Sequence, residues 1–242
     1  MSQVLASILV NAIYEMKNYP IVLINTVLSP LSFLLLITFV SRGSLIGEGI
    51  EGGLIMSMFS AGMGMQSDLS HLKNDFKLQD MVVSSPTTSK IYLLGMALSE
   101  IVYSLPALII LAILAATYVH PDLAQTAVLL TVLLTMFITS IALGFMLSTV
   151  SKDIVQSFAF SRLLSTLFTT LPPVYYPITY VPLPYRYVAY VSPTTWAGQI
   201  VQTATGYLTS SMNTIIIEWG VLAAVTAAIL VIAVKKTQWR ET

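Results

Sequence analysis

The sequence predicts an all-α polytopic membrane protein with about six transmembrane helices. Of its 242 residues, 56% are hydrophobic and only 9% are charged, whereas a soluble domain carries about 25% charged residues. Apolar runs that can cross about 30 Å of hydrocarbon alternate with short polar segments. Because no segment is polar enough to form a soluble domain, residues 1–242 are predicted to be a single transmembrane domain.

Composition also argues against several function classes. The formal net charge is zero and no basic stripe occurs, which argues against nucleic-acid binding. The chain has no cysteine, which excludes disulfides and thiolate chemistry, and its two histidines lie in separate loops, too few for a histidine-based zinc site. It contains no P-loop, Gly-x-Ser-x-Gly or His-Glu-x-x-His motif. Nothing therefore predicts a catalytic, metal or cofactor site on this chain.

The N-terminal residues 1–19 are predicted to form an interfacial helix that lies along the membrane. Its apolar residues share one helical face, and polar residues occupy most of the other face. The alternative is the start of a long first span. Glu15, Lys17 and Pro20 make that alternative costly, because charges are expensive within hydrocarbon.

The first two spans are predicted at Ile21–Val40, with a kink at Pro30, and at Ile50–Gln66. A short outer turn, Ser41–Gly49, joins them. The second span is rich in glycine and methionine, and glycine lets helices approach closely, so we expect this helix inside the bundle. Its methionines are interpreted as core residues, with a substrate-adaptable lining as the alternative.

The longest polar segment is the loop at residues 67–90. Leu69, Leu72 and Phe76 recur at helical spacing with polar residues between them, which predicts a short amphipathic helix. Ser84, Ser85 and Pro86 would end it. We interpret this segment as a cytoplasmic loop whose helix binds a partner; a solvated connector without a partner is the alternative.

Three more spans follow, separated by tight turns: Ile91–Tyr118 with a kink at Pro106, Ala124–Val150, and Ile154–Leu171. In the fourth span, Ser140, Gly144 and Ser148 form a small-residue stripe at four-residue spacing. Such a stripe suits close helix packing, either within the chain or between subunits.

The segment Pro172–Pro193 interrupts the helical pattern with six of the chain's eleven prolines and six interleaved tyrosines. Tyrosine favours the membrane–water interface, and irregular backbone at membrane depth must be covered by protein or line a wet cavity. The pattern predicts a re-entrant or interfacial outer hairpin. Ser192-Pro193 is typical of a helix start, and this short helix should end near Gly206, so residues 172–207 form one outer region.

The last span is predicted at Met212–Val234, followed by a basic tail. Most of the basic residues fall on one side of the six spans, and only Arg42 and Arg186 fall on the other. The excess of positive charge marks the cytoplasmic side. Both termini are therefore expected in the cytoplasm, with the chain in a plasma or bacterial inner membrane.

Two ionisable residues stand out inside the predicted spans. Glu100 and Arg162 lie at similar depths, roughly 15 and 13 Å along their helices at helical rise. An isolated charge at that depth costs at least about 2.5 kcal/mol, so each requires a partner or water. The hypothesis is that they form an intramembrane charge pair; the alternative is that both side chains snorkel to the inner interface. A proton-transfer role for Glu100 is less favoured, because we find no second buried acid that would continue a relay.

The layout resembles the ABC-2 family of ABC transporter membrane subunits. Two stretches carry the resemblance: residues 75–100, DFKLQDMVVSSPTTSKIYLLGMALSE, and residues 172–202, PPVYYPITYVPLPYRYVAYVSPTTWAGQIVQ. The second stretch is similar to the family's signature after the fifth span: an aromatic-Pro (Tyr176-Pro177), a further proline (Pro182 or Pro184), and then Ser192-Pro193. The chain departs from the family pattern in its very short first outer loop, in Pro172-Pro173 where a glycine is usual, and in Arg162.

The resemblance implies a permease that works as a dimer, with a second copy or a homologous permease, and with separate ABC ATP-binding subunits that hold the ATP. It implies that the loop helix is the coupling helix docking on the ATPase, through Leu69, Leu72, Lys73, Phe76 and Leu78. The residues Tyr176, Pro177, Pro182, Pro184, Ser192 and Pro193 would form the outer gate or re-entrant region. The family mostly exports drugs, lipids or glycans, and short outer loops leave no room for an external substrate-binding domain.

Two other function classes stay open on the sequence. A secondary carrier or channel would need no ATPase, and it would predict inverted repeats or paired broken helices. Only one proline-broken hairpin occurs, without a counterpart in the first half. A membrane accessory protein that transports nothing is the other alternative, and substrate flux that depends on this chain would distinguish it.

Overall fold

The computed structural model describes residues 3–74, 89–151, 153–170 and 172–236. These residues form helices and short connections without a strand, which confirms the all-α class. The helices are α1 (Gln3–Ile8, continued by a π-helical segment Leu9–Tyr14 and a last turn Glu15–Asn18), α2 (Pro20–Val40), α3 (Ile46–Asn74), α4 (Ser89–Tyr118), α5 (Leu123–Val150), α6 (Ile154–Ser165, continued by a π-helical segment Thr166–Thr170), α7 (Tyr185–Ala189), α8 (Pro193–Ala204) and α9 (Met212–Lys236).

Among the described helices, four are long and apolar enough to cross a membrane. They are Leu23–Val40 in α2, Ile91–Val119 starting in α4, Leu123–Ser148 in α5 and Met212–Lys235 in α9. They coincide with predicted spans one, three, four and six. The helices α3 and α6 do not join this group, because α3 mixes polar residues into its sequence and the α-helical part of α6 has only 12 residues.

The central helix of the bundle is α3. It packs most extensively against α5 and α4, and it also contacts α2, α6 and α8. Residues 47–59 are buried throughout, which confirms the expected position inside the bundle. Because neighbouring helices rather than lipid surround it, its sequence does not need the apolar surface of a lipid-facing span. Met58, Met63 and Met65 are buried core residues.

The small-residue stripe of α5 packs against α3 within the same chain. A Cβ placed on Gly62 would lie 2.7 Å from the backbone nitrogen of Ile141 and would overlap the Ser140 hydroxyl. A Cβ on Gly144 would lie 2.8 Å from the carbonyl oxygen of Gly62. Small residues on both helices therefore allow the two backbones to approach closely, and for Ser140 and Gly144 this contact is internal.

Two predicted boundaries of α3 are wrong. The outer turn is shorter than Ser41–Gly49, because the helix already begins at Ile46. At the other end the helix does not stop at Gln66 but continues to Asn74. Residues 67–74 contain neither proline nor glycine, so nothing in them breaks the helical hydrogen bonding.

The segment between α6 and α8 has a buried limb and an exposed tip. Pro172–Tyr175 and Pro177–Ile178 are buried or nearly so, whereas most side chains between Thr179 and Val188 are exposed. A 3-10 turn, Ile178–Tyr180, and α7 shape the tip. The predicted start of the following helix is confirmed: Ser192 is the N-cap and Pro193 the first residue of α8. Gly206, with φ of +88°, lies just beyond its end.

The N-terminal helix α1 lies against α4. A Cβ on Gly95 would lie 2.7 Å from Cβ of Ser7, so the two helices touch closely there. Within the π-helical segment, Asn11 donates hydrogen bonds to the Ser7 hydroxyl (3.1 Å) and to the sulfur of Met96 (3.1 Å). The N-terminal segment is thus a helix fixed to α4.

Candidate functional site

A cavity of about 670 Å³ lies between α2, α3, α4 and α6, and Tyr175 from the outer segment also lines it. Its walls carry hydroxyl, amide and aromatic groups together with one carboxylate and one guanidinium. The lining residues are Asn25, Thr26, Ser29, Pro30, Phe33, Met56, Ser57, Ser60, Ala61, Gly64, Glu100, Tyr103, Ser104, Ala107, Arg162, Ser165 and Tyr175.

The sequence of α3 explains why the cavity is open. Over two turns, this helix presents Ser57, Ser60, Ala61 and Gly64 to the cavity, at spacings of three and four residues that share one face. These side chains are too small to fill the space between α3 and its neighbours. The cavity therefore follows from the local composition of the most buried helix.

An aromatic pair contributes to the cavity wall next to the outer segment. The rings of Phe33 and Tyr175 stack with centroids 5.4 Å apart and planes inclined by 18°. Tyr175 is 6% exposed and sits on the buried limb of the outer segment. Because both rings line the cavity, a movement of the outer segment would change the shape of the cavity.

A second, smaller pocket of about 160 Å³ adjoins the first. It is lined by Asn11, Glu15, Gly64, Asp68, Ser99, Glu100 and Tyr103. Gly64, Glu100 and Tyr103 line both spaces. These three residues therefore form the partition between the larger cavity and a pocket that reaches α1 and the last turns of α3.

Three carboxyl groups from three elements meet at this smaller pocket. Glu15 comes from α1, Asp68 from the end of α3 and Glu100 from α4. Burial raises the pKa of Glu15, and the nearby charge of Asp68 raises this pKa further, while a hydrogen bond from Tyr103 opposes the rise. The carboxyl groups of Asp68 and Glu100 lie within hydrogen-bonding reach of each other. Since a hydrogen bond between two carboxyl groups requires a proton on one of them, this pocket is suited to hold a proton.

The sequence analysis looked for a second acid within the spans, whereas the acids next to Glu100 come from α1 and from the polar end of α3. Glu15 is half-buried and Asp68 exposed, and a proton-transfer role for Glu100 stays a prediction. Sequence distance hides them: Glu15 and Asp68 are 85 and 32 residues away in the chain.

Arg162 lies on α6 and lines the larger cavity together with Glu100. Its side chain is exposed, whereas Glu100 is 8% exposed. The charged groups that act on the Glu100 carboxyl are Asp68 and Glu15. Within the described residues no ion pair joins Glu100 to Arg162, so the structure brings the two residues to one cavity and their pairing stays a prediction.

The predicted coupling residues fall in two groups. Leu69 lies half-buried on the next-to-last turn of α3, and Leu72 and Lys73 lie on the last turn. They belong to the same helix that lines the cavity, rather than to a separate amphipathic helix. Phe76 and Leu78 lie outside the described residues, as does most of the loop at 67–90.

The predicted outer residues are distributed along the outer segment. Pro177 is buried and Tyr176 half-buried on the first limb, while Pro182 and Pro184 are exposed at the tip. The Ser192 and Thr194 hydroxyls are hydrogen-bonded (2.7 Å), and Thr194 also donates to the carbonyl of Phe168 (2.7 Å).

The start of α8 is therefore tied to the end of α6. Pro193 itself is buried at the first position of that helix.

Sequence reasoning missed three buried carboxylates. Glu48 is 5% exposed, Glu51 2% and Glu218 1%. Glu51 and Glu218 lie inside the predicted second and last spans, so the same rule that singled out Glu100 applied to them. The signal was present in the sequence, as an acid within an otherwise apolar run.

No group of three or more histidine, cysteine, aspartate or glutamate residues is arranged as a metal site in the described part of the chain. A family model described as "ABC-2 type transporter" matches residues 3–205 of the chain. This match covers α1, both cavities and the outer segment up to the end of α8. A search of curated proteins finds no significant match.

Proposed function

The chain belongs to the ABC-2 type transporter family, and from this premise we propose that it is the transmembrane permease subunit of an ATP-driven exporter. The observation that carries the proposal is the family match over residues 3–205, read together with four helices able to cross a membrane. The permease itself is a membrane component, and ATP would be bound and hydrolysed by separate ABC ATP-binding subunits.

We propose that the chain crosses the membrane six times, with α3 and α6 as spans two and five. At 1.5 Å per residue, the 29 residues of α3 extend about 43 Å, enough to cross the bilayer and reach beyond it. The α-helical and π-helical parts of α6 have 12 and 5 residues. The helix α3 packs inside the bundle, which explains its polar residues, whereas most side chains of α6 are exposed or half-buried.

The proposed orientation places both termini in the cytoplasm of a cell whose plasma or inner membrane holds the chain. The excess of Lys and Arg in the loops on that side supports it. In this orientation α1 lies at the inner interface, and residues 172–207 form the outer re-entrant region. The buried first limb and exposed tip of the outer segment are consistent with a hairpin that enters the bundle and returns.

The continuity of α3 suggests how the ATPase would act on the cavity. One uninterrupted helix carries Ser57, Ser60 and Gly64 at the cavity and Leu69 and Leu72 near the loop. A displacement of its inner end would be transmitted along a rigid hydrogen-bonded element. We therefore keep Leu69, Leu72, Lys73, Phe76 and Leu78 as the proposed contact with the ATP-binding subunit.

The larger cavity is the proposed binding place for substrate during export. Its volume of about 670 Å³ falls in the range of small-molecule sites. Hydroxyl, amide and aromatic groups in its walls suit an amphipathic molecule such as a drug, a lipid or a glycan-linked lipid. A second permease copy, or a homologous permease, would complete the translocation path.

The experiment that tests the proposal is purification of the tagged chain from native membranes in mild detergent, followed by an ATPase assay on the eluate. We expect an ATP-binding subunit to co-purify and the eluate to hydrolyse ATP. Replacing Leu72 and Phe76 by Asp should abolish co-purification, whereas Leu183→Asp at the exposed hairpin tip should not. A single cysteine at Lys73 should crosslink to the bound subunit.

Purification of a well-folded chain without any ATPase would contradict the proposal and favour the secondary carrier or channel. Retention of the ATPase in the variant with Leu72 and Phe76 replaced by Asp would contradict the coupling contact alone. An ATPase that co-purifies while substrate flux is unchanged on deletion of this chain would favour an accessory protein instead.

A further inference from the structure

A second group of buried polar side chains lies at the beginning of α3, remote in sequence from the Glu100 partition. Glu48 and Glu51 are 5% and 2% exposed, and one carboxylate oxygen of Glu48 and both of Glu51 accept no hydrogen bond within the described residues. No positively charged group acts on either carboxylate there. A buried carboxylate without donors or counter-charge is strongly unfavourable, so something must neutralise this pair.

The position of Glu48 has a partial structural explanation. It lies in the first turn of α3, where the helix dipole stabilises negative charge, and its carboxylate accepts a hydrogen bond from its own backbone N–H. Glu51 lies three residues further on, and its two oxygens remain without donors. The helix N-terminus therefore accounts for Glu48 but not for Glu51.

Oxygen atoms of neutral side chains lie near Glu51. The Thr205 hydroxyl lies beside Glu51 and can donate to its carboxylate, and it also donates to the carbonyl of Val201 (3.0 Å). Gln202, one turn earlier on α8, is 0% exposed, and its Oε1 accepts no hydrogen bond in the described structure. Two carboxylates, an amide oxygen and hydroxyl oxygens from three elements form a set of hard oxygen ligands, which suits a cation.

The carbonyl of Val174 fixes Gln202 next to the start of α3. Nε2 of Gln202 donates to this carbonyl (3.2 Å). Gly52, the residue after Glu51, approaches the same carbonyl so closely that a Cβ would lie 2.6 Å from its oxygen. Three elements therefore converge here: α3, the buried limb of the outer segment and the end of α8.

Tyr207 completes the arrangement. Its hydroxyl contacts Gly47 in the first turn of α3, where it would overlap a Cβ. Burial raises the pKa of Tyr207, and the negative charges of Glu51 and Glu48 raise it further. The hydroxyl therefore stays protonated and neutral, and it experiences the field of both carboxylates.

We propose that Glu48 and Glu51, together with the side-chain oxygens of Gln202, Thr205 and Tyr207, bind one Ca²⁺ ion. Two carboxylates balance its charge, and carboxylate, amide and hydroxyl oxygens are the hard ligands that Ca²⁺ prefers. Mg²⁺ fits less well, because it requires near-octahedral geometry and keeps several of its waters, which this buried place would have to admit. The bound ion would fasten the outer segment and α8 to the beginning of α3.

The test measures Ca²⁺ binding to the purified full-length chain in lipid nanodiscs, by equilibrium dialysis with radioactive Ca²⁺ and by thermal unfolding. We expect one ion per chain, a higher unfolding midpoint with Ca²⁺ than with chelator, and weaker binding of Mg²⁺. Glu51→Gln and Glu48→Gln should each weaken binding at least about tenfold. Glu218→Gln is the matched control, because Glu218 is equally buried with an unpartnered oxygen but lies on α9.

The stability of Glu51→Gln in chelator gives a second readout that does not depend on binding. Removing an uncompensated buried charge should leave this variant at least as stable as the wild type without Ca²⁺, and less stable than the wild type with Ca²⁺. Absence of Ca²⁺ binding by the wild type, or equal binding by Glu51→Gln, would overturn the proposal. A midpoint that responds to pH but not to Ca²⁺ would likewise overturn it in favour of protonated carboxyl groups. The inference does not depend on the exporter proposal, because ion binding is measured without transport.

Discussion

Gly64 of α3 stands directly against the carboxyl group of Glu100 of α4. A Cβ on Gly64 would lie 2.9 Å from Oε2 of Glu100, closer than a carbon and an oxygen pack without strain. Both residues line the larger cavity and the smaller acidic pocket. The absence of a side chain at position 64 thus determines where the partition carboxylate lies.

The first prediction concerns Gly64→Ala. The added methyl group should displace the Glu100 carboxyl from the partition, while the flexible side chain absorbs the overlap and keeps the fold. We expect lower ATP hydrolysis by the purified transporter complex, with an unfolding midpoint close to the wild-type value. Gly220→Ala in α9 is the control, because nothing lies within 4 Å of the added carbon. Wild-type ATP hydrolysis in Gly64→Ala would show that the position of Glu100 is unimportant.

A second substitution of glycine should affect stability instead. In Gly62→Ala the new carbon would meet the Ser140 hydroxyl and the backbone of Ile141, and backbone cannot move aside as a side-chain end can. Overpacking of this kind costs typically about 1–3 kcal/mol. We expect a lower unfolding midpoint in detergent, measured against Gly220→Ala. Equal midpoints for the two variants would mean that α3 and α5 separate without cost.

The sequence predicted the four helices that can cross a membrane better than it predicted α3. The helices α2, α4, α5 and α9 match the predicted runs within a few residues, because each must present apolar side chains to hydrocarbon. The helix α3 is surrounded by protein, so hydropathy does not mark its ends. The polar residues after Gln66 were therefore interpreted as a loop, although the helix continues to Asn74.

The third prediction concerns pH and Glu15. Its pKa is raised above the ordinary value of 4.5 by burial and by Asp68. Since the folded state binds this proton more tightly than the unfolded state, the stability contributed by protonated Glu15 is present at low pH and is lost as the pH rises through the raised pKa. The stability that protonated Glu15 contributes should therefore fall as the pH rises above about 4.5.

Glu15→Gln tests this sign. At neutral pH it should raise the unfolding midpoint, and it should reduce the dependence of the midpoint on pH. Because the charge of Glu15 also acts on Glu100, the difference between wild type and variant measures Glu15 together with its coupling to Glu100. Lys17→Gln, at an exposed position on the same helix, is the control. A midpoint in Glu15→Gln that follows pH as steeply as in the wild type would contradict the prediction.

The fourth prediction is a charge exchange across the larger cavity. Arg162→Glu would place a second carboxylate in the cavity that holds Glu100, and we expect reduced assembly with the ATPase and reduced ATP hydrolysis. If the two residues pair, adding Glu100→Arg should restore both. The measurement is yield and ATP hydrolysis of the two single variants and the double variant. A double variant as impaired as the worse single variant would indicate that Arg162 lines the cavity without pairing to Glu100.

The candidate site was predictable only in part. Glu100 and Arg162 were identified because a charge inside an apolar run is energetically costly without a partner or water. Both residues line the cavity. Asp68 and Glu15 were not assigned to it, since they lie in polar segments where an acid is unremarkable. The acceptors around Glu51 come from elements about 150 residues apart in the chain, and only the packing of α8 against α3 brings them together.

The tip of the outer segment is stabilised by hydrogen bonds between one of its side chains and its own backbone carbonyls. Arg186 donates from Nε to the carbonyl of Val181 (2.6 Å) and from Nη2 to the carbonyl of Thr179 (2.7 Å), while Tyr180, Leu183 and Tyr187 remain exposed. The tip therefore keeps its shape through contacts among its own residues. An antibody epitope inserted beside Leu183 would leave the buried limb undisturbed, so this tip is the natural attachment point for a label that reports which side of the membrane it occupies.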